Sequence, residues 1–238
     1  MGKNLIQQAR GKGGPTYRAP SFKYKGNAKH KRIEDNKIMN GNVIDIMTCR
    51  GHSAPLMQIK YEDGEERLLI APEGVKVGDE ISCGEGAEVK LGNTIKLKEV
   101  PEGTLVYNIE SSPGDGGKFC RSGGTFARVI AQFPKEVMIE LPSKKKKTFN
   151  SSCRASIGVI AGSGRLEKPF LKAGRRYYAM KAKNKLYPLV SASAMNAVDH
   201  PFGNARSSRK SKAKPAPRNA PPGRKVGMLR PKRAGRKK

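Results

Sequence analysis

Hydrophobic and polar positions alternate in short runs through the first half of the chain, which is the pattern of half-buried β-strands. The runs cover residues 41–48, 56–61, 67–70 and 94–97, with a further strand near Ile81. Residues 62–65, with sequence EDGE, provide the turn of a hairpin. About five short strands predict a small OB-like Greek-key barrel at residues 36–96.

A second set of strand-like runs follows at residues 105–109, 126–131, 137–141 and 157–160, with glycine dense between them. It predicts a second small barrel, SH3-like, at residues 97–193. Four lysines at 144–147 stand where a hairpin tip is expected, and phosphate contact and a solvated turn explain them equally well. The one predicted helix, residues 173–183, would carry Arg176, Met180 and Lys183 along one side and bind RNA; the alternative packs Tyr177 or Tyr178 into the barrel.

Both chain ends lack the alternating pattern and are strongly basic. Residues 1–32 hold nine Lys or Arg and no acid, and residues 204–238 hold fourteen and no acid, whereas residues 36–112 hold eight basic and thirteen acidic side chains. The whole chain has 48 Lys and Arg against 20 Asp and Glu, a net charge of +28. Because a compact monomer with this charge would repel itself, we expect a polyanionic partner.

The fold class is therefore mainly β, with two small barrels between long basic extensions at residues 1–35 and 194–238. The first extension alternates cations with aromatic rings, as in Tyr17-Arg18 and at residues 22–25, which suits phosphate contact and base stacking along RNA. A solvated, disordered extension is the alternative. Prolines keep the second extension open, so its cations stay spread along a polyanion.

Cysteine spacing and apolar run lengths argue against two further classes of protein. Cys49, Cys83, Cys120 and Cys153 lie roughly thirty residues apart without a Cys-x-x-Cys pair, so no metal site is predicted. No apolar run is long enough to span a membrane, which favours a cytosolic protein with reduced thiols and no membrane partner.

Glycine-rich segments at residues 111–118 and 121–125 could cradle phosphate through backbone N–H groups, but they lack the spacing of a nucleoside-triphosphate-binding loop. Close approach of the backbone to folded RNA and ordinary turns remain the two explanations.

Asp199-His200 is the one candidate acid–base pair. Pro201 favours extended backbone at His200, where neighbouring side chains point to opposite sides, so catalysis is disfavoured. His30 and His52 are expected to contact RNA or to lie in loops.

Three strings carry a resemblance to a known family: ESSPGDGGK at 110–118, AMNAVDHPFG at 194–203 and RNAPPGRKVG at 218–227. With Arg18-Ala19-Pro20-Ser21 and Tyr24-Lys25, they resemble the universal second protein of the large ribosomal subunit in its archaeal and eukaryotic form. The chain departs from the family after Phe202, where many members continue with a run of glycines and only Gly203 remains here.

The resemblance implies a structural constituent of the large subunit that takes part in translation and is not an enzyme. It would bind large-subunit rRNA (23S/28S-type), neighbouring ribosomal proteins and the small subunit across the interface, and support subunit association, tRNA placement and the architecture of the peptidyl transferase centre. The expected location is the cytoplasmic ribosome. A generic polyanion or chromatin-like binder and participation of His200 in peptidyl transfer are the alternatives.

No cofactor is predicted, and a Mg²⁺ ion bridging the glycine-rich loops to rRNA stays open. The residues expected to contact rRNA are Arg18, Lys23, Tyr24, Lys118, Arg121, Arg175, Arg176, Asn196, His200, Arg218, Arg224 and Lys225.

Overall fold

The computed structural model describes residues 3–33, 37–205 and 213–231. Within these ranges the chain forms ten strands and two α-helices and is mainly β, as predicted. The strands are β1 (Ile38–Met47), β2 (Leu56–Tyr61), β3 (Glu66–Ile70), β4 (Glu80–Gly84), β5 (Thr94–Lys96), β6 (Leu105–Tyr107), β7 (Ala127–Gln132), β8 (Glu136–Glu140), β9 (Lys146–Asn150) and β10 (Arg154–Ile157). The helices are α1 (Ile6–Gly11) and α2 (Ala173–Ala182).

The contacts divide the chain into two compact units. The first, here called the β unit, comprises residues 21–171 and contains every strand that the structure describes. The second, here called the terminal unit, combines residues 1–20 with residues 172–238 and contains both α-helices of the described ranges. The predicted basic tail falls in the terminal unit, but its residues 206–212 and 232–238 lie outside the described part of the chain.

The described strands form one sheet with the order β3-β2-β1-β4-β5-β10-β6-β7-β8-β9. Neighbouring strands are antiparallel except β4 and β5, which pair in parallel through Cys83 and Thr94. The sheet does not close on itself, and its two halves are consistent with an OB-like lobe followed by an SH3-like lobe. Hairpins join β1 to β2, β2 to β3, β7 to β8 and β8 to β9. Gly64 takes φ +81° in the turn between β2 and β3.

Each lobe encloses its own hydrophobic cluster. Alternate residues of β1 to β4, including Val43, Ile59 and Ile81, fill the first. Ile95 of β5 packs into the second, together with Val129 and Ile139. A third cluster joins the two lobes to the segment before β1, and its members are Ala28, Cys49, Ala54, Leu56, Ile70, Tyr107 and Ile160.

Several elements differ from their predictions. The strand expected at residues 157–160 lies earlier, as β10, because Gly158 takes φ +118° and ends the pairing. The four-lysine run is divided between the turn and the strand: Lys144 takes φ +62° in the turn, whereas Lys146 and Lys147 belong to β9.

The helix α2 is confirmed, but α1 was not predicted. Its six residues end with Gly11 and bury nothing, so no amphipathic pattern marks them.

In the part of the chain that the structure describes, no helix is long and apolar enough to cross a membrane.

Candidate nucleic-acid interface

Two carboxylates, one before the loop and one within it, accept hydrogen bonds from the backbone of the glycine-rich loop at residues 111–118, here called the glycine loop. Glu110, which is fully buried, accepts hydrogen bonds from the backbone N–H groups of Gly114 (3.2 Å) and Gly116 (3.1 Å). Asp115 accepts three more, from the N–H groups of Ser111, Ser112 and Gly117 at 3.0 to 3.2 Å. The loop is therefore fixed before any ligand arrives.

Arg154 of β10 neutralises the buried Glu110. Its Nη2 donates to Glu110 Oε1 at 2.8 Å, its backbone N–H donates to Oε2 at 2.9 Å, and its Nη1 donates to the carbonyl oxygen of Lys31. Burial alone would raise the pKa of the Glu110 carboxyl, but the hydrogen bonds from Arg154 outweigh it, and the pKa stays below its usual value. The pair thus joins the glycine loop to residues 21–33 of the first basic extension, here called the arm.

His30 anchors the arm inside the protein. Its side chain is 3% exposed, its Nε2 hydrogen-bonds the carbonyl oxygen of Asn108 at 2.6 Å, and its backbone N–H donates to the carbonyl oxygen of Gly116 at 3.1 Å. Burial lowers the pKa of His30 to about 4, because the charged imidazole would lose its hydration. His30 thus lies in a segment without helix or strand, as one of the two expectations had it, but its side chain is part of the core.

Lys31 is buried beside His30. Its ammonium group forms ion pairs with Asp63 and with Glu65 (3.0 Å), and it lies 4.6 Å from the ring centre of Tyr61. Burial opposes the charged form, but the two carboxylates outweigh it and raise the pKa of Lys31. The charge of Lys31 is therefore paired within the protein. The sequence does not indicate this, because Lys31 stands among other basic residues of the arm.

The predicted rRNA contacts in the β unit differ in exposure. Lys23 and Lys118 are exposed, and Lys118 Nζ lies 3.2 Å from Asp115 Oδ2. Arg121 is half-buried: its guanidinium donates to the carbonyl oxygens of Gly117 (3.1 Å) and Ala28 (2.6 Å), and burial lowers its pKa. Arg121 therefore ties the glycine loop to the arm.

Tyr24 packs against the third hydrophobic cluster and lies over Gly51. A Cβ atom at Gly51 would come within 2.8 Å of the Tyr24 ring, so this glycine makes room for the aromatic side chain. At least part of the ring therefore serves protein packing.

Two glycines of the loop meet the protein's own chain. A Cβ atom at Gly116 would lie 3.0 Å from Lys29 Cβ, and one at Gly117 would lie 2.4 Å from Asn108 Oδ1. Both residues also have positive φ angles, +85° and +97°. The close approach that the structure displays here is thus with Lys29 before β1 and with Asn108 after β6, while Gly114 has open space beside it.

In the terminal unit, residues 194–203 form a coiled loop. The N–H groups of Asp199 (3.0 Å) and His200 (3.1 Å) both donate to the carbonyl oxygen of Asn196. Gly203 closes the loop, because a Cβ atom there would lie 2.2 Å from that same oxygen. The single glycine that this chain keeps after Phe202 is the one that the turn requires.

Asp199 and His200 do not form a catalytic dyad. Asp199 Oδ1 accepts a hydrogen bond from Lys3 Nζ at 2.5 Å, and His200 Nδ1 accepts one from the backbone N–H of Phe202 at 3.0 Å. Each side chain thus has a different partner, and the pair cannot relay a proton.

The other predicted contacts of the terminal unit are exposed, whereas His200 is half-buried. The exposed set is Arg18, Arg175, Arg176, Asn196, Arg218, Arg224 and Lys225. On α2, Tyr177 is 41% and Tyr178 is 71% exposed, and the helix buries no residue.

The string at residues 218–227 packs through its glycines. A Cβ atom at Gly223 would lie 2.3 Å from Leu5 Cδ2, and one at Gly227 would lie 3.0 Å from a ring atom of Phe202. These contacts bring the two ends of the chain and the loop at residues 194–203 into one unit.

Among the described residues, no group of three His, Cys, Asp or Glu side chains converges as metal ligands. All four cysteines are free thiols; Cys49, Cys83 and Cys153 are buried, and Cys120 is half-buried.

Comparison with known proteins yields two family matches that together cover most of the chain. Residues 2–83 match the family described as Ribosomal Proteins L2, RNA binding N-terminal domain, and residues 90–220 match Ribosomal Proteins L2, C-terminal domain.

Individual relatives match over their full or nearly full length, and all three named here are described as large ribosomal subunit protein uL2. The chain is 47% identical to the protein of Methanococcoides burtonii over 237 residues, covering 100% of both chains. It is 48% identical to that of Methanothermobacter thermautotrophicus over 241 residues, again covering 100% of both. It is 49% identical to that of Halorubrum lacusprofundi over 236 residues, covering 99% of this chain and 98% of the relative.

Proposed function

The chain belongs to the ribosomal protein L2 family, a structural and RNA-binding family of the large ribosomal subunit, and from this premise we propose that it reaches rRNA chiefly through its terminal unit. Its role in translation is structural and not enzymatic.

The observation that carries this proposal is the division of charge. The terminal unit contains 24 Lys and Arg and one acid, Asp199, whereas the β unit contains 24 Lys and Arg and 19 acids. Phosphates are the counter-charge that such an excess binds most strongly, because each contact releases condensed cations from the RNA. Carboxylates beside phosphates would oppose binding, so the terminal unit is the better surface.

Within that surface, the exposed cations Arg18, Arg175, Arg176, Arg218, Arg224 and Lys225 are the proposed phosphate contacts. Asn196 and His200 would meet RNA from the coiled loop. In the β unit, Lys23 and Lys118 would contact phosphate directly, while Arg121 and Tyr24 would act by holding the glycine loop and the arm in position.

The finer partners follow from the family resemblance. The chain would contact neighbouring ribosomal proteins and, across the interface, the small subunit in cytoplasmic ribosomes. It would support subunit association, tRNA placement and the architecture around the peptidyl transferase centre. The loop at residues 194–203 supports this assignment, because its hydrogen bonds hold a fixed shape that could fit folded RNA.

A charge-removal experiment tests the proposal. The double variant Arg224→Gln with Lys225→Gln removes two exposed cations of the terminal unit, and Lys60→Gln with Lys76→Gln removes two exposed lysines of the β unit as a matched control. Binding of the full-length protein to a large-subunit rRNA transcript is measured at several salt concentrations. The first variant should reduce the slope of log affinity against log salt by about two, and the control should leave it nearly unchanged.

An equal loss in both variants would contradict the proposed role of the terminal unit. Equal affinity of the unchanged protein for the rRNA transcript and for an unrelated RNA duplex at elevated salt would indicate nonspecific polyanion binding instead.

A further inference from the structure

A cleft of about 760 Å³ opens within the terminal unit. Arg10 of α1 and Tyr17, which follows that helix, form one side. Arg176 and Met180, one turn apart on α2, form another, and the chain from Asn184 onward completes the lining. The volume falls within the roughly 300–1,000 Å³ of small-ligand pockets.

Hydrogen bonds set the separation of the walls. Asn184 lies two residues beyond the end of α2 and takes φ +53°, and its Nδ2 donates to the carbonyl oxygen of Tyr17 at 2.6 Å. The N–H of the next residue, Lys185, donates back to the carbonyl oxygen of Met180 at 2.9 Å. These two bonds join the segment after α2 to the Tyr17 side and to the helix, so the cleft has a defined width.

The lining is aromatic, cationic and partly apolar. The guanidinium carbon of Arg176 lies 5.2 Å from the ring centre of Tyr187, which places a planar cation beside an aromatic ring. Tyr17 supplies a second ring, Met180 supplies an apolar stem, and Arg10 and Lys185 add two more cations. None of the described residues that line the cleft is acidic.

A ligand that combines a flat aromatic ring with a negatively charged group fits this lining best. Nucleobases stack on tyrosine rings and on guanidinium planes, and the attached phosphates pair with cations. Asp199, the only acid in the sequence of this unit, is hydrogen-bonded to Lys3 and does not line the cleft.

We propose that this cleft receives the base of one unpaired nucleotide of large-subunit rRNA, with the flanking phosphates at Arg10, Arg176 and Lys185. The inference rests on the proposed function and deepens it, because it adds recognition of a single-stranded base to contact with the phosphate backbone. A tethered nucleotide fits better than a free one, since Arg10, Arg176 and Lys185 are exposed and continue the cationic surface of the unit.

The test uses the full-length protein with Tyr187→Ala and, separately, Tyr17→Ala. The probes are a labelled single-stranded oligoribonucleotide and an RNA duplex with the same number of phosphates. Loss of one stacked base should weaken single-strand binding roughly 5- to 150-fold. Duplex binding and the salt slope should stay the same, because no cation is removed.

Two variants separate stacking from folding. Tyr178→Ala removes an exposed ring of α2 that does not line the cleft, and it should bind both probes as the unchanged protein does. Tyr187→Phe keeps the ring and should restore single-strand binding. In large subunits assembled with each variant, chemical probing should show one unpaired nucleotide that loses protection with Tyr187→Ala and with Tyr17→Ala, but not with Tyr178→Ala or Tyr187→Phe.

Less than a twofold change in single-strand binding, or an equal loss for duplex and single strand, would overturn the cleft proposal. In that case the proposed function still stands if Arg224→Gln with Lys225→Gln lowers the salt slope. Failure of the unchanged protein to enter large subunits would instead count against the proposed function itself.

Discussion

The β unit and the terminal unit contain the same number of basic residues, but they differ sharply in the number of acidic residues. Each has 24 Lys and Arg, but the acids number 19 in the first and one in the second, which gives net charges of +5 and +23. Cations of the β unit meet carboxylates, as Lys96 meets Glu85 at 2.6 Å. Most of the charge of the terminal unit has no such counterpart in its own sequence and requires an external polyanion.

Burial differs in the same direction. The three hydrophobic clusters of the described residues all lie in the β unit. In the described part of the terminal unit, Ala216 is the one buried hydrophobic residue, and close contacts such as Gly223 with Leu5 take the place of a core. We infer that the β unit owes its shape to burial, whereas the terminal unit gains stability when it binds RNA.

The largest effect should come from breaking the buried ion pair of the β unit. Arg154→Met leaves the Glu110 carboxylate buried without its guanidinium, and stranded charges of this kind typically cost about 3–5 kcal/mol. Chemical denaturation of the full-length protein, followed by circular dichroism of the sheet, measures the change in unfolding free energy.

The double variant Arg154→Met with Glu110→Gln serves as its control. Removing the stranded charge should recover part of the loss, because a neutral amide is cheaper to bury than a carboxylate. A loss below about 1 kcal/mol for Arg154→Met alone would contradict the role that we assign to the pair.

A smaller effect should appear on acidification. The pKa of His30 falls from 6.5 to about 4 on folding, so as pH decreases the unfolded chain takes up the proton first. The contribution of His30 is therefore present above pH 6.5 and is lost as pH falls from 6.5 toward 4. Between pH 7 and pH 5 the unfolding free energy should drop by roughly 2 kcal/mol from this group.

His30→Gln removes the titrating group and should flatten the stability profile between pH 7 and pH 5. The exposed Lys25→Gln is the control and should keep the profile of the unchanged protein. The linkage argument fails if His30→Gln and the unchanged protein lose stability in parallel over this interval.

The smallest effect is expected for the ion pair of the terminal unit. Lys3 and Asp199 have side chains that are 70% and 38% exposed, so water already solvates both charges. Asp199→Asn should change the unfolding free energy by less than about 0.5 kcal/mol in the same denaturation assay. A loss comparable to that of Arg154→Met would show that the two units are stabilised in the same way.

Local patterns were sufficient to predict part of this fold. The strand β2 and the helix α2 appear where alternation and composition indicated them, because neighbouring residues determine both. The strand β9 was missed because its lysines hide the alternation, and α1 was missed because it is short and buries nothing. Among the candidate contacts, nothing in the sequence distinguishes the engaged Arg121 from the exposed Lys118.

The sequence by itself determined the class of the molecule: alternation specified a mainly β protein, the separation of acids from bases indicated a polyanionic partner, and three strings identified the family. Only the tertiary structure decided that His30 is buried and that Glu110 holds the glycine loop. The reason is distance along the chain, since His30 meets Asn108 78 residues away and Glu110 meets Arg154 44 residues away. Burial and pKa depend on such partners, which become neighbours only when the chain folds.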